Sequence, residues 1–233
     1  MDDNLKFETY LYIGPKKLII LTNTKSKKKI YEKELKLDES LVHYDLSKLD
    51  YFLNENIFKI EKLLNSFVKK IFVIIDLDQF LTVEISVKKK NFENFINSQS
   101  LHLLLNEAKE CCKKTIEDRK IIHMIINSYK INNEHYSFLP KDINAKNISL
   151  DIKFICLPKS LIRNLEQSLK KLQISIDELL CAKYIKNYSE KDNIDFFDMA
   201  NKIILGHNKN EVKIVNKKIK NKGFFEKFFD FFS

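Results

Sequence analysis

Gly14, Gly206 and Gly223 are the only glycines in a chain of 233 residues. A backbone that must pass close to a pyrophosphate, or turn through the left-handed region, relies on glycine. With no glycine-rich turn anywhere, the chain lacks the bare-backbone cradles that hold nucleotide phosphates. Pro15 follows Gly14 and removes one more N–H from the first turn where a phosphate would be met. ATP binding is therefore not expected, and no residue is assigned to catalysis, to a cofactor or to a metal.

Hydrophobic content of 44% and aromatic content of 12% place the chain in the globular class, with one substantial core or two small ones. No apolar run approaches the roughly 20 residues needed to span a bilayer. The start, Met1-Asp2-Asp3-Asn4, carries no export signal. Cys111, Cys112, Cys156 and Cys181 show no CxxC spacing and read as thiols of a reducing cytoplasm. A net charge of +9 invites a nucleic-acid reading, yet only Arg119 and Arg163 among 41 basic residues are arginine. Bidentate contacts to phosphate and guanine want arginine, so nucleic acid is not the expected partner. His123 sits in an apolar run and reads as a core histidine without a relay partner, and Asp76 and Asp78 as a solvated turn at a strand end.

The periodicities predict a mixed α/β chain without internal repeats. A strand over 10–21 is broken by Gly14-Pro15, and 29–37 returns beside it. Leu53, Ile57, Ile60, Leu64 and Phe67 recur at helical spacing, then 71–75 forms a buried strand. Leu81, Val83, Ile85 and Val87 alternate as a half-buried strand. Leu101, Leu104, Leu105, Ala108 and Cys112 mark a second helix. Strands follow over 121–126, 129–131 and 149–157, the last with Leu150, Ile152, Phe154 and Cys156 on one face. Ser160 is placed to cap a helix carrying Leu161, Leu165, Leu169 and Leu172. A strand begins near Ile174, 186–195 is polar, 196–206 is helical, and 207–222 reads as a flexible basic linker.

The last ten residues hold six of the 18 phenylalanines. On a helical wheel Phe224, Phe225, Phe228, Phe229, Phe231 and Phe232 fall within an arc of roughly 160°. Glu226, Lys227 and Asp230 take the other side. Lys218, Lys220 and Lys222 supply a basic approach. An aromatic face behind lysines suits a helix lying in a headgroup layer. Six half-inserted rings would gain roughly 5–9 kcal/mol gross, and each lysine near an anionic leaflet about 1 kcal/mol. Ordering a ten-residue peptide takes much of this back, so the anchor is expected to be reversible. Docking of the tail on the protein's own core, or in a partner's groove, is the alternative.

The strand bearing His123, leading to Tyr129 and Ile131, a loop reaching Pro140, and a strand over 147–155 resemble the inserted subdomain of bacterial FtsA cell-division proteins. So do Asn164-Leu165, then Ile174, Ile176 and Leu179, and the Ala182–Tyr184 step. Tyr12-Ile13-Gly14 followed by Lys17 is similar to that family's first actin-type strand, and the tail to its membrane-targeting helix. The resemblance implies an α/β (α+β) fold: a partial actin-like lobe with an inserted small α/β subdomain and a C-terminal amphipathic helix. Its expected divisions are lobe at 1–88, insert at 89–176, lobe again at 177–206, linker at 207–222 and helix at 223–233. Family chains are much longer, since two actin-like lobes follow the position of Tyr184, and these hold most of the nucleotide cleft and the docking surface for FtsZ.

The expected role is a non-enzymatic recruiter of division proteins at the inner face of the cell membrane, with FtsZ contact left open and self-association as a further property. The resemblance implies that the insert meets partners, and Lys153, Arg163, Glu166 and Lys170 are the candidates there. A basic nucleic-acid-associated protein and an inactive relic of an actin-like ATPase are the alternatives.

Overall fold

The computed structural model describes residues 7–37, 47–90, 98–140 and 145–213. The six tail phenylalanines and Lys218, Lys220 and Lys222 lie outside them, as does the expected amphipathic helix.

Strands β1 (Phe7–Ile13) and β2 (Lys17–Thr24) form an antiparallel hairpin about Gly14-Pro15, closed by the Gly14 N–H on the Lys17 carbonyl at 2.9 Å. Strand β3 (Lys29–Lys36) returns beside β2, and helix α1 (Ser47–Leu64) carries the chain to β4 (Lys70–Ile75), parallel to β1. The chain then leaves this sheet for β5 (Leu81–Lys90), α2 (Ser98–Thr115), β6 (Arg119–Ile131), β7 (Glu134–Tyr136) and β8 (Asn147–Pro158). It returns through α3 (Lys159–Lys170) to β9 (Ser175–Cys181), which pairs parallel to β4, and continues as α4 (Ala182–Asp192) and α5 (Phe196–Ile204). The first sheet runs β3-β2-β1-β4-β9 and the second β5-β8-β6-β7. The fold is mixed α/β, a lobe with a second sheet inserted between two of its neighbouring strands.

The lobe has three layers because its central strands are apolar on both faces. Leu11, Ile13, Leu18, Ile71 and Val73 pack against Leu53, Ile57 and Ile60 of α1 and Leu161, Leu165 and Leu169 of α3. Tyr10, Tyr12, Ile74 and Leu180 point the other way, against Ile185 of α4 and Met199 and Ile203 of α5. The inserted sheet buries Leu150, Ile152, Phe154 and Cys156 against Leu104, Ala108 and Cys112 of α2, the face that alternation predicts.

Asparagine takes several of the turns where another chain would use glycine. Asn65, Asn132, Asn133 and Asn193 all have positive φ. Asn193 ends α4 in the left-handed conformation. Asn132 and Asn133 together make the two-residue β6–β7 turn, a geometry that asparagine tolerates among L-residues.

Three local expectations change and a fourth is completed. Residues 121–131 are one strand, because the register of β6 on β8 skips at Ile122 and Asn127 and each bulge absorbs a residue. Pro158, with no side-chain bond, occupies the N-cap of α3, so Ser160 is not the cap. Phe67 continues the helical spacing past the end of α1 and is 74% exposed. The polar stretch from 186 lies mostly in α4, whose Tyr184 and Ile185 are buried.

Candidate functional site: the joint between the two sheets

β9 is an edge strand of the lobe, and residues 119–128 of β6 have β8 on one side only. The two edges meet at a single buried histidine. His123 is 2% exposed, and its Nε2 accepts the Cys181 backbone N–H at 3.0 Å. That bond assigns the ring proton to Nδ1, which donates to Glu211 Oε1 at 2.7 Å. The second Glu211 oxygen accepts from Tyr184 Oη at 2.9 Å, and Asn208 Nδ2 donates to the same hydroxyl at 2.8 Å. Burial first, and then the negative charge of Glu211, push the Tyr184 hydroxyl well above the ordinary tyrosine range.

His123 thus has a carboxylate partner, contrary to the sequence expectation, supplied from 88 residues away. The geometry is that of a strut. Both ring nitrogens are engaged, and the side chains of His123 and Glu211 are 1% and 6% exposed, leaving no room for a substrate.

Glu211 belongs to a short segment that pairs with the uncovered edge of β6. The Ile126 N–H donates to the Asn210 carbonyl at 2.9 Å, and the Val212 N–H to the Met124 carbonyl at 2.8 Å. Lys213 binds the Glu178 carboxylate at 3.2 Å and the Ile204 carbonyl. The first seven residues of the expected linker at 207–222 are therefore docked on the body. The signal was present in sequence: Glu211 is the single acidic residue in 207–222.

Above this strut lies a cleft of about 680 Å³. Its insert wall is basic, from Lys109 and Lys113 of α2 and Arg119 and Lys120 of β6. Glu166 of α3 and Asp177 and Glu178 of β9 line it from the lobe, together with Lys159, Glu211 and Lys213. Ile121, Ile122, Met124, Ile176, Leu179 and Val212 make the apolar lining.

Of the four partner-binding candidates, Glu166 lines this cleft. Arg163 and Lys170 are exposed on the outward side of α3, whose apolar side packs into the lobe core. Lys153 is half-buried on β8, registered between Glu84 and Ile125. The structure therefore distributes them over two packing units.

A second polar cluster stands at the ends of β1 and β4. Tyr12 Oη donates to Asp76 Oδ2 at 2.5 Å, and Lys186 Nζ from α4 binds the same oxygen at 2.6 Å. Asp76 is not the solvated turn residue the sequence suggested. The Tyr12 ring lies over the first turn so closely that a Cβ added at Gly14 would sit 2.7 Å from it. Among the described residues no three His, Cys, Asp or Glu side chains are grouped as metal ligands. No helix among them is long and apolar enough to cross a membrane.

No family model and no curated protein matches the sequence. Solved structures resemble it at a distance. A chain of the PilM-PilN type IV pilus biogenesis complex aligns at 8% identity and a TM-score of 0.49, over 80% of this chain and 50% of that one. The cytoplasmic domain of EpsL, an inner membrane component of the type II secretion system of Vibrio cholerae, aligns at 10% identity and 0.35, over 76% and 56%. A Bacteroides thetaiotaomicron protein with actin-like ATPase fold and unknown function aligns at 15% identity and 0.30, over 82% and 60%. The chain spans between 50% and 60% of the length of these solved chains. Scores this low assign neither activity nor partner, so the functional reading rests on the geometry above.

Proposed function

We propose that this chain is a non-enzymatic, FtsA-like recruiter that holds division proteins at the inner face of the cell membrane. In this reading the joint cleft receives a protein partner and the phenylalanine-rich end meets lipid. The observation that carries it is the fastening of 210–213 into the wall of the cleft by the bonds of Glu211 and Lys213. The residues leading to Phe224 thus start from the partner surface, so one element serves both contacts. The partial lobe is read as actin-like, with its nucleotide function given up. The Tyr12 ring over Gly14 and the Lys186–Asp76 pair fill the strand-end position where a phosphate and its cation would be expected.

Four acids, Glu166, Asp177, Glu178 and Glu211, share the lining with six cations, a mixed charge that suits a protein better than a polyanion. The experiment has two arms. Full-length chain carrying Phe228→Ser, Phe229→Ser and Phe232→Ser should lose flotation with anionic liposomes; undiminished flotation removes the anchor. Glu166→Lys with Asp177→Lys should abolish pulldown of division proteins, whereas Arg163→Glu with Lys170→Glu tests the outward side of α3. Capture that survives both pairs leaves the recruiter without a surface. A rise in melting temperature with ATP and Mg²⁺ would instead restore the ATPase relic.

A further inference from the structure

The cleft at the joint meets two strands along their main-chain edges. Side chains alternate along a strand, yet four consecutive residues of β6, Arg119 to Ile122, and four of β9, Ile176 to Leu179, line it. Among the described residues neither stretch has a strand partner on that side. Ile121, Ile122 and Ile176 are only half-buried there. Open edges of this kind invite an added strand, and one has already begun to form. The Ile126 N–H on the Asn210 carbonyl and the Val212 N–H on the Met124 carbonyl set 210–212 antiparallel to β6, with Glu211 opposite Ile125. The direction of that pairing carries the chain beyond Lys213 back along β6 toward Ile122 and Arg119, the uncovered stretch.

From this we infer that residues 214–217 continue the strand on the β6 edge and are the occupant of the cleft. Continuity with the pairing of 210–212 sets the register and the faces. Asn210 and Val212 turn their main-chain groups to β6, so Ile214 falls in the same phase. Val212 packs with the insert core, and Lys213 reaches across to Glu178 of β9. Period two then sends Ile214 to the side of Val212 and Ile121. It sends Val215 and Lys217 to the lobe side, where Ile176, Asp177 and Glu166 line the cleft. Isoleucine and valine thus meet half-buried isoleucines, and lysine meets the acids. Four extended residues span about 13 Å, the length of the stretch from Ile122 to Arg119. The inference deepens the proposed function, and its regulatory sense rests on that reading: a partner protein entering the cleft must first displace the segment.

The test uses the full-length chain without lipid. Amide hydrogen exchange followed by NMR should find Ile214 at least about tenfold slower than Val215, whose N–H faces away from β6. Ile214→Pro removes the N–H that makes this bond. Trypsin should then cut after Lys217 at least about tenfold faster than in the parent, while the Val212 amide stays protected. Exchange of Ile214 at the rate of an unstructured peptide, or cleavage unchanged by the proline, overturns the inference. So does protection that fades on dilution as a dimer becomes a monomer, since the edge would then hold the strand of a second copy. The proposed function is decided separately: failed pulldown of division proteins leaves the Ile214 protection standing, and an unprotected Ile214 leaves the pulldown standing.

Discussion

Two tyrosine–carboxylate pairs divide this molecule. At the joint, Tyr184 and His123 both donate to Glu211, whose side chain is 6% exposed. At the strand ends, Tyr12 and Lys186 both bind Asp76, whose side chain is 23% exposed and whose lysine partner is 46% exposed. The first pair is sealed and ties the 207–213 segment to the insert; the second is wet on one side and links the ends of β1 and β4 to α4. Hydrogen bonds to a buried carboxylate are worth more, because the groups left behind have no water to turn to. The contrast suggests that the joint holds the architecture together, while the strand-end cluster only shapes a surface.

The comparison breaks most sharply at Glu211. Replacing it with alanine leaves the His123 and Tyr184 donors buried without a partner and should cost about 3–5 kcal/mol. Urea denaturation measures the loss, and faster hydrogen exchange at the Ile126 and Val212 amides should show the edge segment coming away. A loss below about 1 kcal/mol would mean that the Glu211 bonds do not hold the two sheets together. Gly14→Ala comes next. The new methyl meets the Tyr12 ring, which is 7% exposed and tied to Asp76, so displacement should cost about 1–3 kcal/mol.

Tyr12→Phe is milder, about 1 kcal/mol, because Asp76 keeps Lys186 and some water. It also has a pH signature. Burial first, and then the bond to Asp76, raise the Tyr12 hydroxyl above the ordinary tyrosine range. A raised pKa in the folded state contributes stability that is complete below about pH 10 and lost as pH climbs beyond it. The denaturation midpoint should fall above pH 10, less steeply in Tyr12→Phe. Cys156 acts in the same direction from a lower start: burial, then the neighbouring Cys112, push its thiol up to about 12. Cys156→Ala should flatten the decline that begins near pH 9.

The smallest effect is expected at Asp151, which accepts from Ser86 and Ser128 at 2.5 Å each and clamps three strands of the insert. The Ser128 bond first, then that from Ser86, hold its carboxyl below the usual range. Its contribution is present above about pH 4 and lost as pH falls further. Asp151→Asn should therefore lower stability modestly at neutral pH, by under about 1 kcal/mol, and remove part of the further loss below about pH 4. Acid unfolding followed by circular dichroism checks it.

Strand and helix positions were largely legible where one period governed a run. The alternation of Leu150, Ile152, Phe154 and Cys156 fixed the buried face of β8, and Leu53, Ile57 and Ile60 fixed that of α1. Legibility failed where a second rule intervened. Phe67 kept the helical spacing after Asn65 had already turned the chain at positive φ, so a ring that periodicity sent inward points to solvent. Bulges at Ile122 and Asn127 merged two expected strands, since a register skip on a partner has no signature within the strand itself. The partner candidates were chosen as one surface, but α3 packs on the lobe and Lys153 stays with the insert.

By itself the sequence determined which side of most elements is buried, through apolar periodicity, because that depends on neighbours a few residues apart. Only the tertiary structure decided the joint. His123, Tyr184 and Glu211 are separated by up to 88 residues, and what they do depends on two sheet edges arriving side by side. A carboxylate in a basic stretch reads as a solvated charge until burial removes the water that would otherwise compete for it.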